Sequence, residues 1–146
     1  MMTIFFDMDG TIADLYGVEN WLDYLRAEDA TPYREAETLV NMQALAHRLN
    51  NLQRKGYRVE VISWLARESS ENYGYEVANA KIEWLNSHLK SVHFDKINIV
   101  PYGTEKDTFR HSENDILFDD EEHNRENWGG VAYNVDNILK ILGGLK

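Results

Sequence analysis

The stretch Ile4-Phe5-Phe6-Asp7-Met8-Asp9-Gly10-Thr11-Ile12 runs three apolar residues straight into two carboxylates one residue apart. Such an apolar run reads as a strand buried on both faces, which places it inside a parallel sheet. Asp7 then stands at the strand's C-terminal end, where open α/β sheets bind their ligands. Beyond it Gly10 lets the backbone turn tightly, and amides of such a turn can approach an anion. Two carboxylates at i and i+2 beside a buried strand call for a cation. Mg²⁺, a hard ion that prefers oxygen ligands, suits them.

Outward from this stretch, helical and strand patterns alternate. Val18, Trp21, Leu22 and Leu25 fall at helical spacing, and Ala30-Thr31-Pro32 breaks that helix. From about Glu35 a longer helix is expected, with Leu39, Met42, Ala46, Leu49 and Leu52 as its stripe and Gly56 just past its end. Residues 57–62 read as a second strand ending at Ser63, and 67–75 as a loop or helix entrance. Ala78, Ile82, Leu85 and Leu89 mark the next helix. Residues 96–100, 115–118 and 131–135 are the third, fourth and fifth strands, and Asp136 can cap a last helix carrying Ile138, Ile141, Leu142 and Leu145. Strands alternating with helices imply βαβ units, right-handed crossovers and a three-layer α/β sandwich around a parallel sheet.

The 146 residues are enough for one domain with a real core. A hydrophobic content of 43% excludes a disordered chain, and no apolar run nears the roughly 20 residues that span a membrane. The N-terminus enters a strand at once without a basic, apolar leader, and there is no cysteine, so a cytoplasmic protein without disulfides or thiolate metal sites is expected. A net charge of −10 argues against non-specific nucleic-acid binding, which depends on Lys and Arg neutralising phosphates.

Asp7-Met8-Asp9-Gly10-Thr11 resembles the signature of the haloacid dehalogenase superfamily of phosphohydrolases. The resemblance implies a strand order of 3-2-1-4-5, with the Asp7 strand central. It implies Asp7 as the nucleophile that becomes an aspartyl-phosphate, and Asp9 as general acid and then base for the hydrolytic water. Ser63, in Val-Glu-Val-Ile-Ser, matches the family's second motif and would bind a phosphoryl oxygen. Lys106 matches the third motif, a lysine offsetting the clustered negative charge. Lys81 is the alternative, but its place near the start of an amphipathic helix reads as a surface lysine. Ile116-Leu117-Phe118-Asp119-Asp120 matches the fourth motif. Mg²⁺ would then be held by Asp7, Asp119 and the Asp9 main-chain carbonyl, with Asp120 acting through a metal-bound water. Backbone amides near Met8 and Gly10 would steady the phosphoryl oxygens.

Trp64 and Arg67 follow the second motif and can line the pocket. The five histidines (47, 88, 93, 111 and 123) show no metal spacing. Residues 14–34 are the only spare segment in a single domain spanning 1–146. They form a minimal helical cap, so the site is expected to be open unless a second subunit covers it. DMDGTIAD, Lys81-Ile82-Glu83-Trp84-Leu85 and Leu117-Phe118-Asp119-Asp120 resemble the 5′-deoxyribonucleotidase branch. Gly56–Ser63, Lys106-Asp107 and the later Asp-Asp with Trp128 resemble the phosphatase domain of polynucleotide kinase/phosphatases. The expected function is Mg²⁺-dependent hydrolysis of a small phosphomonoester such as a nucleotide. The alternatives are a phosphatase for nucleic-acid 3′-phosphate ends and a non-catalytic protein that binds Mg²⁺ or a partner.

Overall fold

The computed structural model describes residues 2–146. Its strands and helices, in chain order, begin with β1 (Thr3–Phe6), which is buried along its whole length. The order continues through β2 (Ala13–Asp14), α1 (Trp21–Arg26), α2 (Thr31–Glu35), β3 (Glu37–Thr38) and α3 (Met42–Arg54). It ends with β4 (Arg58–Trp64), α4 (Glu71–His88), β5 (Lys96–Val100), β6 (Ile116–Phe118), α5 (Glu122–Asn127), β7 (Val131–Tyr133) and α6 (Ile138–Gly143).

Five strands form one parallel sheet in the order β5-β4-β1-β6-β7. Counting only these core strands, that is the expected 3-2-1-4-5 with the Asp7 strand in the middle. Crossovers β1–α3–β4 and β4–α4–β5 step outward in one direction, which puts α3 and α4 on the same face. The chain then returns to the other side of β1, so the direction reverses between β1 and β6. That switch opens the crevice in which this class of sheet binds ligands.

Alternation along the strands divides the core. Ile4, Phe6, Val59, Val61, Ile116 and Phe118 pack with Leu45 and Leu49 of α3 and Leu142 of α6. Phe5, Ile62 and Leu117 face the other way, onto Trp128 at the end of α5. Trp128 is sealed, and its indole N–H donates to the Asp115 carbonyl at 3.0 Å. Burying an indole without such a partner would leave a costly unmet donor.

Several sequence expectations shift. Residues 31–35 form a separate short helix, which Pro32 starts rather than breaks, since proline fits the first turn. The long helix begins only at Met42, capped by Asn41, whose side chain accepts from the Ala44 amide at 3.0 Å, and Leu39 is left exposed outside it. The fifth core strand ends at Tyr133, and α6 begins after Asn137, so Asp136 does not cap it. On α4 the buried face is Tyr73, Val77, Ala80, Lys81, Trp84 and Leu85, whereas Ile82 is exposed. The stripe is turned by about one residue from the expected one.

The insert between β1 and α3 is pinned at its base, where β2 and β3 pair antiparallel, Ala13 opposite Thr38 and Asp14 opposite Glu37. Its far end is tied to α4. The Glu28 carboxylate accepts from the Ser70 amide and hydroxyl at 2.9 and 2.7 Å, and the Tyr73 hydroxyl donates to the Asp29 carbonyl at 3.2 Å. Ser70 is itself the N-cap of α4. No helix of the described residues is long and apolar enough to cross a membrane.

Candidate active site

At the C-terminal ends of β1 and β6 the carboxylates of Asp7, Asp119 and Asp120 bring oxygens within 4.8 Å of one another. Asp7 and Asp119 are buried and Asp120 partly so. Lys106, in a single helical turn after β5, reaches across the sheet and is itself buried. Its ammonium donates to Asp7 Oδ1 at 2.9 Å and to Asp119 Oδ2 at 2.8 Å. Burial pulls the Lys106 pKa down, but Asp7 and Asp119 outweigh that and leave it above the ordinary lysine value.

One ammonium facing three carboxylates leaves two negative charges uncompensated when all three are ionised. A divalent cation matches that surplus, and all-oxygen donors match Mg²⁺ in type. Burial and the charge of Asp7 push Asp119 up to about 6 and Asp120 up to about 8. The two titrate with their neighbours as a set. A carboxyl whose folded pKa is raised binds more protons in the folded than in the unfolded chain between the two pKa values. Stability therefore falls as pH rises through that interval. The metal-free protein is expected to melt progressively lower from about pH 4 to about pH 8. Added Mg²⁺ should reverse the loss most strongly at the upper end. Thermal unfolding with Mg²⁺ and with chelator across this range checks both trends.

Gly10 takes a backbone angle of φ +81°, and a Cβ there would lie 2.3 Å from Asp120 Oδ2. The position therefore admits only glycine, which allows the Asp120 loop to close on the Asp7 loop. Its amide, however, donates to the Ala13 carbonyl at 2.9 Å and is not offered outward, contrary to expectation. The amides of Met8 and Asp9 have no partner among the described residues. Thr11 joins the two loops: its hydroxyl donates to Asp7 Oδ2 at 2.8 Å and accepts from the Asp120 amide at 3.2 Å. Asn124 on α5 donates to Asp119 Oδ2 at 3.1 Å. The bond between Thr11 and the Asp120 amide joins residues far apart in the chain, so sequence spacing does not reveal it.

Lys81 corrects the sequence reading. It is not a surface lysine: its side chain is 1% exposed. Its ammonium donates to Asp9 Oδ2 at 2.8 Å, to Ser63 Oγ at 2.5 Å and to the Trp64 carbonyl at 2.7 Å. Lys106 bonds Asp7 and Asp119, whereas Lys81 holds Asp9 and Ser63. Burial outweighs Lys81 and leaves Asp9 with a raised pKa. Asp9 Oδ1 has no protein partner among the described residues and is left to the pocket that Asp9 lines.

That pocket has a volume of about 280 Å³. Asp7, Asp9, Lys106 and Asp120 form its floor, and its walls mix aromatic side chains (Tyr16, Trp21 and Tyr33 from the insert, Trp64 and Tyr102 from the core) with the aliphatic Leu15, Leu22, Leu25 and Leu65. Trp64 is fixed by its N–H donating to the Thr104 carbonyl at 2.9 Å, and it stands edge-on to Tyr102 at 4.9 Å between ring centroids. The Arg67 guanidinium lies 6.0 Å from the Tyr102 ring centre at the rim. The insert thus lines one side of the pocket. The sequence placed Trp64 and Arg67 here but missed the insert's aromatics, whose spacing carries no motif.

Residues 31–141 match the family described as 5′ nucleotidase, deoxy (pyrimidine), cytosolic type C protein. The match takes in Ser63, Lys81, Lys106, Asp119 and Asp120 and starts beyond the Asp7 loop. Among solved structures, the chain is similar to the D,D-heptose 1,7-bisphosphate phosphatase from Burkholderia thailandensis. Identity is 16%, the TM-score is 0.53, and 89% of this chain and 75% of that one are covered, a likeness of fold. No curated protein matches the chain in sequence.

Proposed function

Because the chain belongs to the cytosolic type C family of pyrimidine 5′-deoxynucleotidases, within the haloacid dehalogenase superfamily, we propose that it hydrolyses nucleoside monophosphates through an aspartyl-phosphate on Asp7. The observation that carries this reading is the position of Asp7. It lies at the end of the central strand, on the floor of an aromatic-walled pocket, with Lys106 on one oxygen and Thr11 on the other.

Asp7, Asp119 and Asp120 would hold Mg²⁺, with the Asp9 main-chain carbonyl as a further donor. When bound, the ion screens the phosphate's charge from the attacking carboxylate. An Asp7 carboxylate oxygen attacks phosphorus and the bond to the ester oxygen breaks. Asp9, kept protonated more readily by its raised pKa, gives its proton to that leaving oxygen. Water then attacks the phosphoryl group, losing its proton to Asp9. Asp7 leaves as the free carboxylate together with inorganic phosphate. Lys106 and the unpaired Met8 and Asp9 amides would meet the phosphoryl oxygens, whereas Ser63, fully buried and bonded to Lys81, would act only by steadying that lysine.

The aromatic walls suit a flat base, which stacks on rings with little demand for specific hydrogen bonds. A small pocket and a −10 charge favour a free nucleotide over a nucleic-acid end. The family's description supports a cytoplasmic setting. The test is chelator-sensitive phosphate release from a panel of nucleoside monophosphates, sugar phosphates and 3′-phosphorylated oligonucleotides. Highest kcat/KM on pyrimidine deoxynucleotides is expected. A preference for oligonucleotide ends would replace this reading, and inactivity on the whole panel by folded, Mg²⁺-binding protein would turn it toward a non-catalytic role.

A further inference from the structure

Among the described residues, Tyr33 is the one wall residue that is both deep in the fold and left with an unused polar atom. It is 4% exposed and packs with Leu15, Ala30, Tyr73, Val77 and Ala80, where the insert meets α4. Other large aromatics buried in the protein satisfy their polar atoms. The Tyr73 hydroxyl donates to Asp29, the Trp84 indole to Ala36 and the Trp128 indole to Asp115. The Tyr33 hydroxyl makes no hydrogen bond to a described residue. Nor is it sealed, since the sealed and unpartnered atoms are Arg58 Nε and Arg110 Nε. Tyr33 is also one of the residues that line the pocket. A buried phenol normally finds a partner in the fold, so a partner arriving with the ligand is the natural completion.

Its placement says which part of the ligand it meets. The Lys81 ammonium lies 5.1 Å from the centre of the Tyr33 ring and 2.8 Å from Asp9 Oδ2, so one buried cation fixes the phenol beside Asp9. Lys106 and Asp7 lie on the phosphoryl side, whereas Asp9 serves the leaving oxygen. Burial, with the Asp9 charge after it, raises the Tyr33 pKa, so the phenol keeps its proton and can donate.

Resting on the proposed phosphatase reading, we propose that the Tyr33 hydroxyl recognises the leaving group of the substrate, by hydrogen-bonding a sugar hydroxyl a few bonds from the ester oxygen. Tyr33 is then a specificity residue contributed by the insert, and it distinguishes a nucleoside ester from a bare aryl one.

The test uses Tyr33→Phe, which keeps the ring and its packing, with thymidine 5′-monophosphate, its 3′-deoxy analogue and phenyl phosphate. Wild type is expected to prefer the hydroxyl-bearing nucleotide over its 3′-deoxy analogue by about three- to tenfold in kcat/KM, mostly through KM. Tyr33→Phe should lose that preference, its kcat/KM falling further on thymidine 5′-monophosphate than on phenyl phosphate. Equal losses on all three esters, or an undiminished preference in the variant, overturn the proposal. If the variant does not fold, the wild type still tests the proposal, since indifference to the 3′-hydroxyl overturns it. Wild-type inactivity on every ester defeats the phosphatase reading itself, and is told apart because it needs no variant.

Discussion

Asp7→Asn is expected to release phosphate at least about 10⁴-fold more slowly than wild type, with the fold intact. An amide is nearly the shape of a carboxylate, so Asn can still accept from Lys106 and can donate to Thr11 in place of accepting from it. What it lacks is the nucleophilic oxygen. Removing a negative charge also relieves the repulsion that raises Asp119 and Asp120, so the metal-free variant should melt no lower than wild type. Phosphate release and thermal unfolding, run side by side, check the two halves. A variant that is inactive because it is unfolded would not support the claim, and one that retains a tenth of the activity would contradict it.

The second large effect belongs to Lys81. Replacing it with Met is expected to cost about 3 kcal/mol of stability, because the ammonium is buried and its three oxygen partners would lose it together. It is also expected to lower kcat about 100-fold, since Asp9 and Ser63 are both held by this one group. Lys106 touches neither of them, so it cannot substitute. Denaturant unfolding and steady-state kinetics measure the two effects. A Lys81→Met protein with wild-type stability and kcat would return Lys81 to the surface role its sequence context suggested.

That context shows where sequence reading runs out. The apolar run into Asp7 and the Asp119-Asp120 pair after another apolar strand are local patterns, and both lie at strand ends, whereas Ser63 falls inside β4, one residue before its end. Their position at strand ends depends only on hydrophobic continuity and turn chemistry. Lys81 depends on helix phase. Taking Ala78, Ile82, Leu85 and Leu89 as the inner stripe leaves Lys81 at its edge, whereas Val77, Ala80 and Trp84 bring it well inside. Both stripes are apolar, and only the sheet and the insert packed against α4 decide between them. Val77, Trp84 and the N-cap at Ser70 were the available signal.

The insert was legible as a segment but not as a wall. Tyr16, Trp21 and Tyr33 line the pocket because β2 and β3 pin both ends of the insert and Glu28 ties its tip to Ser70. Those contacts join residues far apart in the chain, beyond the reach of periodicity. Gly10 was identified for the right property, its backbone freedom, but given the wrong task. Its amide closes the loop onto Ala13, and the space above it belongs to Asp120.

The account stands or falls on Asp7 as nucleophile, and the most direct measurement is the mass of the protein during turnover. The wild type, mixed with excess thymidine 5′-monophosphate and Mg²⁺ and quenched in acid within a turnover, should carry one phosphoryl adduct. Peptide mapping should place it on the segment containing Asp7, and Asp7→Asn should carry none. Steady turnover with no adduct at any quench time, accompanied by inversion of configuration at phosphorus, would mean that water attacks directly and would contradict the account.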